Sequence, residues 1–106
     1  MASIPVRQKD QYETVAASQT AQALGATGGV GDFLKRLIIV PASVSPGAVA
    51  IKDGGGSDIT VFPGGANSLT ELKPFVVEID AKSDDGAWKV TTGANVSVIA
   101  VGNFTK

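Results

Sequence analysis

Apolar and polar residues alternate through most of the chain with a period of two, as a strand with one buried face requires. The cleanest case sets Phe75, Val77, Ile79 and Ala81 on one side and Val76, Glu78 and Asp80 on the other. That is the pattern of an antiparallel strand with core on one face and water on the other. The same reading puts Val49 and Ile51 opposite Ala50 and Lys52, and pairs Ile59 with Val61. Trp88 shares a face with Val90, and Val96, Val98 and Ala100 share another, with Ile99 and Val101 behind them. One run breaks the alternation: Leu37, Ile38, Ile39 and Val40 stand consecutively before Pro41. An unbroken run predicts a strand buried on both faces, covered by a second sheet or by a partner subunit.

Residues 13–24, ETVAASQTAQAL, carry alanines that suit a helix and a Gly25 that would end one. Thr14, Val15 and Thr20 lean toward strand, and an extended strand followed by an irregular segment is expected. Turn signals recur every 8–12 residues and no βαβ alternation is visible, which predicts about seven or eight short strands. The expected fold is all-β, an antiparallel β-sandwich forming a single domain over residues 13–106. Residues 1–12 read as an N-terminal arm in which Pro5 blocks regular structure. Ile4, Pro5, Val6 and Arg7 are its candidate partner-binding residues, for docking on a neighbouring subunit; the alternative is a frayed terminus.

Composition narrows the function. With 43% hydrophobic and 18% charged residues, the 106-residue chain is globular rather than disordered. It has no cysteine and no histidine, so disulfides, thiol chemistry, zinc sites and the usual general base all fall away. The net charge is −1 and the only adjacent basic pair, Lys35-Arg36, sits inside an apolar run, so no nucleic-acid partner is expected. No stretch approaches the ~18–20 apolar residues that span a bilayer, and no signal-like apolar region follows the N-terminus, so a soluble protein made in a cytoplasm is expected.

The most site-like stretch is IKDGGGSDITVF, residues 51–62. A phosphate loop needs a lysine and a hydroxyl residue after its last glycine; here Ser57 and Asp58 follow Gly56, and the aspartate repels phosphate. GATGGVGDF, residues 25–33, fails likewise, with Asp32 where phosphate would come. Asp53 and Asp58 could hold calcium, although as an EF-hand the loop lacks its twelfth-position glutamate. The bland alternative is a hairpin turn whose glycines permit positive φ and whose aspartates cap the backbone. Glu78 and Asp80 share a strand face, but glycoside hydrolysis needs carboxylates converging across a cleft. Trp88 and Phe62 would serve either a glycan platform or the core. No enzyme, cofactor or metal site is expected.

The runs GATGGVGDFLKRLIIVP, VAIKDGGGSDITVFPGG and VVEIDAKSDDGAWKVTTGANVSVIAVGNF, within residues 14–104, resemble small virion proteins of tailed bacteriophages. The resemblance is to the kind encoded among the head genes and classed as decoration or cement proteins. It implies a β-sandwich of jelly-roll type on the outer surface of the capsid, bound to the major capsid protein as a dimer or trimer. It brings no catalytic motif, so no functional residue is carried over. A tail or receptor-binding module that holds a host glycan is the alternative, with Trp88, Phe62 and surface loops as its contacts.

Overall fold

The computed structural model describes residues 10–105, so Ile4, Pro5, Val6 and Arg7 lie outside the described residues. Eight strands follow in order: β1 (Gln11–Val15), β2 (Gln22–Ala23), β3 (Phe33–Pro41), β4 (Val49–Asp53), β5 (Ile59–Phe62), β6 (Phe75–Lys82), β7 (Trp88–Thr92) and β8 (Val96–Asn103). Among the described residues there is no helix. Gln11 and Tyr12, expected in the arm, open β1.

Two four-stranded antiparallel sheets result, one in the order β1-β8-β3-β6 and the other β2-β7-β4-β5. We call them sheet A and sheet B. The 13–24 segment resolves into β1, an irregular crossing and the two-residue β2. The alanine-rich crossing forms no helix: it turns through left-handed backbone at Ser18 (φ 61°) and Ala21 (φ 47°), and threonine side chains satisfy its amides and carbonyls. Thr92 Oγ1 donates to the Ala16 carbonyl at 2.6 Å and accepts from Gln19 N at 3.0 Å, while Thr91 Oγ1 accepts from Ala21 N at 2.9 Å.

The core lies between the sheets, and alternation decides which residues enter it. Val96, Val98 and Ala100 of β8 face Val49, Ile51, Trp88 and Val90 of sheet B, all buried. β3 corrects the expectation of two covered faces. Leu34, Leu37 and Ile39 are fully buried, whereas Arg36, Ile38 and Val40 on the other side are only half-buried. Lateral neighbours shield Ile38: it lies between Ile99 of β8 and Val76 of β6. Sheet B covers one face of β3, and no second layer of described residues covers the other.

At β5 a bulge alters the alternation. Val49 pairs with Phe62 and Ala50 with Thr60, so Val61 is the extra residue. Phe62 thereby reaches the core side, where its ring meets Phe75 edge-on with centroids 5.1 Å apart. This side of the sandwich stays open, and Ile59 is 51% exposed.

Leu37→Ala is expected to cost about 2–5 kcal/mol in urea unfolding, the usual range for a cavity in a packed core. Val76→Ala should change stability by no more than about 0.5 kcal/mol, as surface substitutions do. Equal losses at the two positions would mean that the outer face of sheet A is also core.

Candidate functional site

The glycine loop is the turn of the β4–β5 hairpin, and its aspartate serves a neighbouring loop. Asp53 Oδ2 accepts from Asp84 N at 2.9 Å, and Oδ1 accepts from Asp85 N at 3.1 Å and Gly86 N at 3.3 Å. Asp85 answers: its Oδ2 accepts from Gly55 N at 2.7 Å. Between them Gly54 N donates to the Ala87 carbonyl at 2.9 Å. The hairpin turn and the β6–β7 loop are thus latched together by two aspartates, each capping the other's loop. These bonds, led by the one from Asp84, hold the Asp53 carboxyl below its ordinary value of 3.8, against a smaller opposing effect of desolvation.

A calcium site would need Asp53 and Asp58 to converge. Asp53 is turned to the 84–86 amides, while Asp58 lies 3.8 Å from Lys52 Nζ. Among the described residues no group of three or more carboxylates stands together as metal ligands.

The second glycine-rich stretch is likewise a fastening. Asp32, 6% exposed, accepts from Gly29 N and Thr105 N at 3.1 Å and from Thr105 Oγ1 at 2.6 Å. Its carbonyl accepts from Trp88 Nε1 at 3.1 Å. Trp88 is therefore core, 4% exposed, and out of reach of a glycan. Phe62 is half-buried against Phe75. Glu78 and Asp80 both point outward; Glu78 meets Arg36 Nε at 3.4 Å, and Asp80 takes a positive φ of 52° at a bulge. They do not form the walls of a cleft.

The outer faces of the two sheets differ in chemistry. On sheet A the register sets Tyr12, Val101, Arg36 and Glu78 in one row and Thr14, Ile99, Ile38 and Val76 in the next, with Val40 beyond. Tyr12 is 68% exposed and Val76 52%. The face is apolar, and the cation and anion within it neutralise one another. On sheet B the equivalent rows are Ala23, Lys89 and Lys52, then Thr91, Ala50 and Thr60. That face is small, polar and basic. The sequence carried the signal in the outward positions of β3, β6 and β8, but only the strand order shows that they adjoin.

No family model matches the chain, and no curated protein or solved structure matches it.

Two measurements check the latch. Of the three consecutive glycines only Gly54 has both a positive φ, 56°, and no room, since an added Cβ would lie 2.6 Å from Gly86 N. Gly54→Ala should therefore destabilise by more than about 1 kcal/mol in urea unfolding, and Gly55→Ala should not. A carboxyl whose folded value is depressed stabilises fully above its unfolded value and loses that effect as pH falls through the folded one. The contribution of Asp53 is accordingly present at neutral pH and fades below 3.8. Asp53→Asn should flatten that part of the acid stability curve.

Proposed function

We propose that the chain is a capsid decoration protein, which binds the outside of an assembled phage head through the outer face of sheet A and stabilises the shell. The observation that carries this reading is the contrast between the two outer sheet faces, apolar on sheet A with Tyr12 and Val76 exposed, and polar and basic on sheet B. Exposed contiguous apolar patches mark protein–protein contacts. The resemblance of residues 14–104 to phage decoration proteins supports the same partner, the major capsid protein. So does the nested strand order, β1 by β8, β2 by β7, β3 by β6 and β4 by β5, which is compatible with a jelly roll, a fold common in viral capsid domains.

Cementing follows from linkage. A protein that binds adjoining capsid subunits only when they are assembled stabilises the assembled state by its binding free energy. A four-stranded face about five residues long presents roughly 300–400 Å², against the ~800 Å² per partner typical of stable association. One copy on one face would bind weakly. Several copies docking together on a repeating surface gain by avidity.

Val76→Asp or Tyr12→Ala should weaken binding to stripped heads about tenfold, as expected when a central apolar contact is lost. Lys52→Glu and Lys89→Glu, on sheet B, should leave binding unchanged. Co-sedimentation reads both. Heads without the protein should lose their contents at lower temperature or milder osmotic shock. Folded sheet A variants that bind normally would overturn the docking face, and stripped heads of full robustness would overturn the cement role.

A further inference from the structure

β6 is the end strand of sheet A, pairing among the described residues only with β3. Its inward residues Phe75, Val77, Ile79 and Ala81 are half-buried, although their neighbours Leu34, Leu37 and Ile39 on β3 are fully buried. The difference comes from β5 opposite, which has four residues and leaves Ile59 half-exposed. An edge that runs regularly from Phe75 to Glu78 before its bulge at Asp80, with an open apolar flank, is where another strand adds.

We propose that residues 4–9 of a second copy of this chain add beside β6 as a parallel strand, Ile4 next to Phe75 and Lys9 next to Asp80. The two segments, IPVRQK and FVVEID, match position by position. Ile4 and Val6 extend the inward face beside Phe75 and Val77, into the open flank by Ile59 and Phe62. On the outward face Arg7 comes beside Glu78 and Lys9 beside Asp80, two opposite charges in succession. Glu78 is already met by Arg36, at 3.4 Å to each oxygen, and accommodates a second cation on its free side. Pro5 fits because alternate residues of a strand direct their backbone groups to opposite sides. With Ile4 and Val6 bonded to β6, the missing N–H of Pro5 faces outward, where an edge strand tolerates it. The antiparallel register that would pair both charges carries Ile4 past the end of β6, to Ser83.

The donor must be another copy. Asp10 is held by Lys35 at 2.9 Å, and Gln11 opens β1 at the opposite edge of the sheet. Gln11, Gly102, Leu34 and Ala81 lie in one row across β1, β8, β3 and β6. From β1 to the far side of β6 is four strand spacings, about 19 Å, whereas Lys9 to Gln11 is two Cα steps, at most about 8 Å. The strand exchange stands apart from the shell reading, because the isolated protein tests it.

The chain has no cysteine, which gives a clean background for cross-linking. Val6→Cys protein mixed with separately prepared Val77→Cys protein should form a disulfide-linked pair under mild oxidation, since lateral neighbours fall within disulfide range. Val6→Cys mixed with Lys89→Cys should not. Light scattering should find the full chain oligomeric, and a chain lacking residues 2–9 monomeric with unchanged thermal unfolding. Arg7→Glu or Glu78→Arg alone should weaken association about tenfold, and the double reversal should restore it. A full chain that stays monomeric, a deletion that leaves the mass unchanged, or no Val6–Val77 cross-link would each overturn the exchange.

Discussion

Six of the seven connections in this fold pass from one sheet to the other; only β4–β5 is a hairpin. Every such crossing leaves the ladder and must find other partners for its backbone N–H and C=O groups, which cannot be buried unpaired. A chain of 106 residues has few to spare for this task. Short polar side chains meet it: Thr91 and Thr92 for the β1–β2 crossing, Asp32 and Ser83 for β2–β3, and Asp53 for β6–β7. Among the described residues no buried side-chain nitrogen or oxygen lacks a partner.

This demand explains why the sequence looks richer in sites than the structure is. Glycine–aspartate stretches are what phosphate and cation loops are made of, because both need exposed backbone amides and tight turns. A sandwich with many crossings needs the same ingredients for a different end. At Asp53 and Asp85 the amides that might have met a ligand meet a carboxylate from the neighbouring loop. The reciprocity matters: either aspartate alone would cap one loop, and the pair fixes the two loops to each other.

Alternation was legible wherever a strand kept strict register. The inward and outward sets of β6 and β8 read from sequence are the sets observed, because period two admits only one assignment of faces. The consecutive apolar residues of β3 were legible as a strand but not as to its cover. Sequence cannot distinguish an outer face shielded by lateral neighbours such as Ile99 and Val76 from one roofed by a second layer. β7 and β8 are contiguous in sequence yet lie in different sheets, since a three-residue link such as Gly93, Ala94 and Asn95 serves a hairpin or a crossing equally well. Phe62 reached the core through a bulge that no periodicity announces. The partner of Asp53 lay 31 residues away and left no local trace.

The two surfaces left over by this economy differ in how much apolar area they expose. A sandwich of this size can bury one face of each sheet, and the outward face of either can be polar at no cost to the fold. Sheet B takes that option, with lysine, threonine and alanine across β7 and β4. Sheet A does not: its outward rows keep isoleucine, valine and tyrosine, which add little stability while exposed and invite association. The open flank at β6 borders an edge whose outward acidic residues, Glu78 and Asp80, have the same two-residue spacing in the sequence as Arg7 and Lys9. An apolar face too small to hold a partner alone, beside an edge able to link copies, is a workable arrangement for a protein that binds a repeating surface. Were copies linked through β6 as proposed, several sheet A faces would act together, and each weak contact would gain from its neighbours.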